Sequence, residues 1–245
     1  MINSVRNTVL AYINKDNRGY VTPEQFNLFA KQAQMDIFEQ YFYNYNNTLV
    51  KQNARQSGSG LADLAKRQSE VIDTFSTLAI LTPSTSLNYY YPGQNPLNPN
   101  ESDYYLIDRI TYDTRIEVER VSHNKILNLL NSNITAPSLS YPVYTMSDDG
   151  IQVYPLSIPS AVPLAALEIQ YIRYPRDPKW TWDILANGEP LFNQGATDYQ
   201  DFELPLSDEP MLVNKILQYA GISIREGEVI QTAKADEIQD KQEKQ

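Results

Sequence analysis

Apolar residues recur at helical spacing in the first part of the chain and at alternate positions in much of the remainder. Val5, Val9, Tyr12 and Ile13 mark one face of a first helix that Asn3 or Ser4 can cap and that runs to about Asn14. Lys15 to Gly19 reads as a turn. Thr22-Pro23-Glu24-Gln25 is a strong helix start: threonine caps, proline takes the first helical position, and Gln25 can complete a capping box. Phe26, Phe29, Ala33, Ile37, Tyr41, Tyr45 and Leu49 then keep a three-to-four spacing, with no break before about Arg55. Such a helix would span roughly 45–50 Å. Its second half also carries Phe42 and Tyr43, so its apolar surface is wider than one stripe and calls for neighbours on more than one side.

Gln56 to Gly60 reads as a hinge, and Leu61 to Phe75 as a third helix. The texture then changes, because of the fifteen prolines only Pro23 precedes Leu81. Proline removes a backbone donor and breaks helix interiors, so the next section must be strands, turns and loops. Thr82 to Ser102 is a Pro-, Asn- and Tyr-rich loop. Strand patterns come next at Tyr104–Ile107, Ile110–Tyr112 and Arg115–Val121, and Ser122 can cap a short helix through Leu130. Asp149-Gly150 signals a hairpin between Tyr141–Met146 and Ile151–Tyr154. Leu167 to Tyr174 alternates as a half-buried strand. Ser207-Asp208-Glu209-Pro210 opens a last helix, with Gly221 as its C-terminal cap. Arg225 to Gln245 is charged, glutamine-rich and weakly amphipathic.

This order predicts an α+β protein in three segments. Residues 1–82 form a helical core, residues 83–206 a Pro- and Tyr-rich β region, and residues 207–245 a C-terminal helix and docking tail that packs with the first segment. The fold class expected is a helical core of long antiparallel helices from both termini with an inserted, projecting β-sandwich-like region.

Composition narrows the chemistry. The chain has 245 residues, a formal net charge of −10 and no cysteine. The charge argues against nucleic-acid binding as the main task, since neutralising phosphates needs clustered Lys and Arg, but it suits a wall that DNA slides past. Without cysteine there are no disulfides, thiolate metal sites or thiol nucleophiles. The N-terminus lacks a signal-peptide layout and no apolar run reaches the length of a membrane helix, so a cytosol-like compartment and no membrane are expected. The eighteen tyrosines fit surfaces wetted on one side, and equally the packing of strands and loops.

No motif carries catalysis. His123 is the single histidine and reads as structural; no nucleophile elbow, zinc helix or phosphate loop occurs. Asn14 to Gln25 can be aligned on a calcium loop with Gly19 sixth, but Arg18 then stands fifth and Gln25 twelfth, where a bidentate carboxylate is needed. Asp148-Asp149 and the pair Asp198 and Asp201 read as solvated turns. In a strand, Trp180 and Trp182 would share one face, which fits core packing and a binding patch alike.

Several stretches resemble one family. They are Val5-Arg6-Asn7-Thr8-Val9-Leu10 through Thr22 to Ala30, Gly150-Ile151-Gln152-Val153-Tyr154-Pro155, Tyr171 to Pro178, and Asp201-Phe202-Glu203-Leu204-Pro205 leading to Lys215-Ile216-Leu217. In this order they resemble neck proteins of tailed bacteriophages, especially crAss-like phages, where a ring of subunits joins the portal to the tail. The resemblance implies a virion protein made in the host cytoplasm. It would form a ring of about twelve copies, contact the portal and other neck or tail rings, and let DNA pass through its channel without specific binding. It also implies a helical core decorated with β structure, and neither enzyme activity nor a cofactor. On this reading the docking residues are Tyr41, Tyr43, Tyr45, Trp180, Trp182, Arg225, Glu226, Glu228 and Ile230. The alternatives are another virion ring or fibre-docking tail protein, a calcium-responsive binding module, and an enzyme with a carboxylate-only site.

Overall fold

The computed structural model describes residues 1–14, 21–53, 60–84, 88–92, 102–113, 115–148, 150–156, 167–186 and 188–224. Among them are five helices: α1 (Ile2–Ile13), α2 (Pro23–Asn53), α3 (Gly60–Asp73), α4 (His123–Leu130) and α5 (Glu209–Ile224). The chain divides into two compact units, Met1–Val71 with Pro175–Gln245, and Ile72–Tyr174.

In the first unit, α1 buries Ile2, Val5, Val9 and Ile13, and both α1 and α2 pack against α5. The start of α2 is the capping box its sequence predicts. The Thr22 N–H donates to Gln25 Oε1 at 3.1 Å, and the Gln25 N–H donates to Thr22 Oγ1 at 3.2 Å. The start of α1 is different, because Asn3 and Ser4 lie inside the helix. The cap comes from far along the chain: Asp201 Oδ1 accepts the Ile2 N–H at 2.7 Å, and its Oδ2 takes the Met1 ammonium at 3.0 Å. Asp201 is therefore a structural anchor rather than a solvated turn. At the other end, α5 runs through Gly221 to Ile224 instead of stopping there. Gly221 is buried, and the packing of Leu212, Ile216 and Ala220 overrides the glycine's low helix propensity.

Gln34 is a buried polar residue with its amide satisfied at both ends. Its Nε2 donates to the Arg176 carbonyl at 2.7 Å, and its Oε1 accepts the Glu203 N–H at 3.1 Å. It thus ties α2 to the chain on both sides of the small hairpin β8 (Trp182–Ile184) and β9 (Pro190–Phe192).

The second unit holds one seven-stranded sheet. In chain order its strands are β1 (Ser76–Ile80), β2 (Asn88–Tyr89), β3 (Tyr104–Tyr112), β4 (Ile116–Arg120), β5 (Val143–Ser147), β6 (Gly150–Tyr154) and β7 (Leu167–Arg173). Across the sheet they run β1-β7-β3-β4-β5-β6-β2. Every pairing is antiparallel except β4 with β5, which α4 joins as a crossover. One face carries the core: Ile110, Val118, Tyr144, Ile151, Val153, Leu167, Ile169 and Tyr171, with Leu81 and Tyr89. On the opposite face α4 covers only β5 and β6, where Ile126 packs on Val143 and Tyr154.

These findings overturn the expected fold class. The molecule is not a helical core of long antiparallel helices from both termini, and its β region is a single curled sheet rather than a sandwich. Lengths explain the first point: α5 has 16 residues against the 31 of α2, about 24 Å against about 46 Å, so no long pair can form. Topology explains the second. β7 inserts between β1 and β3, and the α4 crossover keeps β5 beside β4, so among the described residues of this unit no strand is left to build a second layer.

Candidate docking surfaces

The cover on α2 changes midway. Phe26, Ala30, Ala33, Ile37 and Phe38 are fully buried. From Tyr41 to Lys51 only Thr48 is buried, and its hydroxyl donates back to the Asn44 carbonyl at 2.9 Å. Tyr41, Phe42, Tyr45 and Leu49 are half-buried, while Tyr43 is 67% exposed and Val50 is exposed too. Phe42 meets Phe38 edge to face at 5.0 Å. The Tyr41 hydroxyl donates to Asp208, just ahead of α5. Burial, and then the Asp208 carboxylate, push this phenol far above its ordinary range, so it stays a neutral donor. Two further polar ties join α2 to α5. Tyr219 Oη donates to Asp36 Oδ2 at 2.5 Å, and Lys215 Nζ lies 3.8 Å from the same oxygen. The helix is thus held by polar contacts while its aromatic second half keeps a wet side.

The two tryptophans have different places. Trp180 is 1% exposed. Trp182 stacks on it at 5.8 Å and Phe192 at 5.7 Å, and the Arg6 guanidinium lies 3.8 Å from the Trp180 ring centroid. Its indole N–H donates to Asn3 Oδ1 at 3.0 Å. Asn27 brackets its backbone, accepting the Trp180 N–H at 2.8 Å and donating to its carbonyl at 3.1 Å. Trp180 therefore locks α1, α2 and the β8–β9 hairpin together and presents nothing to a partner. Trp182 is half-buried in β8. Arg225, Glu226, Glu228 and Ile230 lie outside the described residues, as do residues 15–20 of the stretch aligned on a calcium loop.

In the second unit, no described element covers the face of the sheet opposite the core over β1, β7, β3 and β4. Arg109, Thr111, Arg115, Glu117, Glu168 and Gln170 line a shallow depression of about 230 Å³ beside Leu78. Glu168 and Glu117 flank Thr111 on neighbouring strands, and Arg109 donates to Gln170 Oε1 at 3.2 Å. The mixed charges of this open surface suit polar contact with a partner.

Among the exposed apolar side chains are two groups that the sequence pattern did not single out. One is the crossover, where Leu127, Leu130, Ile134, Leu139 and Tyr141 are exposed, Ile134 at 95%, in a stretch whose single charge is Lys125. The other is β1, through Leu78 and Ile80. A run such as Leu78-Ala79-Ile80-Leu81 before Pro83 is a strand signal that could have been read.

His123 lies exposed at the start of α4. Among the described residues, no three His, Asp or Glu side chains stand close enough to hold a metal ion, and no helix is long and apolar enough to cross a membrane. No family model matches the chain, and no curated protein matches it.

Proposed function

We propose that this chain is a virion structural protein that forms a ring between the portal and the tail of a phage particle, as its sequence resemblance implies. The observation that carries the reading is the half-covered second half of α2. Tyr41, Phe42, Tyr43, Tyr45, Leu49 and Val50 put aromatic and aliphatic surface on a helix that, among the described residues, is fully buried along its inner face in the first half and mostly half-buried or exposed in the second. Tyrosine tolerates water on one side and still contributes large contact area, which is the composition of protein interfaces. In a ring each subunit offers two different faces, and this stretch is one of them. The net charge of −10 suits the wall of a channel through which DNA moves without sticking. The helical core implied by the resemblance is not the fold found, so the reading rests on this surface and on the matching stretches, not on architecture.

The crossover, with exposed Leu127, Ile134 and Tyr141 and Lys125 as its single charge, favours a second reading, a tail ring or fibre base that docks through the β unit.

Cryo-EM of the parent particle tests both. Density for this chain in a ring directly below the portal supports the connector. Density elsewhere on the tail supports the second reading, and absence from the particle overturns both. Tyr43→Lys tests the surface itself. The side chain is exposed, so stability should change by less than about 0.5 kcal/mol, whereas incorporation into the neck should fail. Normal incorporation would remove α2 from the interface.

A further inference from the structure

We propose that β1 is an open pairing edge, and that the free chain joins a second copy of itself through β1 about a two-fold axis at Leu78.

The phase of the ladder sets the geometry. The Arg173 N–H donates to the Phe75 carbonyl at 3.1 Å, and the Leu81 N–H donates to the Leu167 carbonyl at 2.9 Å. In an antiparallel pair, hydrogen-bonded positions alternate. Thr77 and Ala79 therefore bond to β7, while Ser76, Leu78 and Ile80 aim their N–H and C=O groups off the edge. Among the described residues, the backbones of Leu78 and Ile80 have no other partner. Their side chains are 67% and 68% exposed, on the sheet face opposite the core.

This edge also lacks the usual protection. Edge strands are normally short, bulged, charged, broken by proline or covered. The other edge obeys that rule: β2 has two residues, Pro83 bridges Tyr89, and hydrogen bonds from Ser84 to Asn88 and from Tyr90 to Thr82 cover it. β1 has five residues, a regular register with β7, and neither charge nor proline.

The strand is complementary to itself. An antiparallel copy centred on Leu78 sets Leu78 opposite Leu78, and Ser76 opposite Ile80 on either side. All three pairs fall at hydrogen-bonding positions, so six backbone bonds close and the exposed apolar side chains cover one another. The charge pattern favours this contact over others between copies. Two chains of net charge −10 repel across most of their surface, and β1 opposes no like charges. A contact of five residues a side lies at the small end of stable interfaces, so the pairing depends on concentration and can be exchanged. A two-fold contact cannot close a ring of single polarity. The pairing therefore belongs to the free chain, where it shields an aggregation-prone edge, and it rests on no part of the ring reading.

Sedimentation velocity of the full chain over a concentration series tests it. The expected result is a monomer–dimer equilibrium. Leu78→Lys sets two like charges face to face at the axis and should weaken pairing by about tenfold or more. Leu78→Glu should do the same, and an equimolar mixture of the two should pair again. The position is exposed, so both variants should keep the wild-type circular dichroism spectrum. A wild-type chain that stays monomeric throughout overturns the proposal. So does a dimer that neither charge weakens, or a mixture that pairs no better than each variant alone. Loss of the dimer with normal incorporation into the particle supports the pairing and leaves the ring reading intact.

Discussion

Replacing Asp201 by alanine removes the cap of a helix that lies two hundred residues away in sequence. Donors to the carboxylate include the Met1 ammonium, the Ile2 N–H at 2.7 Å and the Phe202 N–H at 2.8 Å. Loss of a helix cap costs about 0.5–2 kcal/mol. The ammonium pair adds less than about 1 kcal/mol, because the Asp201 side chain is 37% exposed and water screens the pair. Asp201→Ala should therefore destabilise the first unit by roughly 1–3 kcal/mol, or about 2–4 °C in midpoint for each kcal/mol in a unit of this size. Burial alone would raise the Asp201 carboxyl, but hydrogen bonds from the α-amino group, Ile2 and Phe202 outweigh it and hold the carboxyl below its ordinary value. A depressed carboxyl contributes stability above its unfolded pKa, about 4, and loses it as pH falls through the folded value. The gap between wild type and Asp201→Ala should thus be full at neutral pH and close in acid. Both tryptophans lie in the first unit, so their fluorescence during urea unfolding at a series of pH values reports on that unit alone. A gap that stays constant from neutral pH to about pH 3, or no gap at all, would falsify the cap.

Two other substitutions probe the units separately. Gly150 has φ +128°, and an added Cβ would stand 2.3 Å from the Tyr89 carbonyl oxygen, so Gly150→Ala must push β2 away from β6. It should cost at least about 1–3 kcal/mol and expose Asn88 and Tyr89 to amide exchange; unchanged protection there would refute the close approach. Trp180→Ala empties the stack between Arg6, Trp182 and Phe192 and should cost about 3–5 kcal/mol. Amide protection should fall along α1 while β3 and β7 keep theirs, and an α1 that stays protected would show that Trp180 is not its anchor.

Local chemistry was legible where cause and effect lie within a few residues. Thr22 and Gln25 read as a capping box, and both hydrogen bonds are made. The alternation of Leu167, Ile169 and Tyr171 read as a half-buried strand, and those three side chains are in the core of the sheet. Gly150 read as part of a hairpin, and β5 pairs with β6 across it. The elements that escaped were set from a distance. Leu78 to Leu81 offers a short apolar run before Pro83, but Ser76 to Ile80 also continues the pattern of α3 without alternating, and pairing with β7, ninety residues on, decides for strand. β2, β8 and β9 have two or three residues each, too few to show a period. Asp201 resembles any acidic turn until the N-terminus is placed against it. For the docking surface, the width of the apolar pattern on α2 was visible, but which tryptophan faces inward was not. The i, i+2 spacing of Trp180 and Trp182 sets a shared side and leaves open what covers it.

The cover on α2 comes from length and residue choice together. A partner helix of about 24 Å cannot line one of about 46 Å, so about fifteen of the 31 residues of α2 must meet something else or water. Leucines there would make the free chain aggregate, and lysines would remove the reason to bind. Tyr41, Tyr43 and Tyr45 avoid both outcomes, since each ring has an apolar face for a neighbour and a hydroxyl for solvent. Tyr41 already spends its hydroxyl on Asp208, next to α5, which sets where the covered half ends. From Phe42 to Val50 the helix therefore joins apolar contact area to a surface that tolerates water, the two properties that the proposed ring contact would draw on.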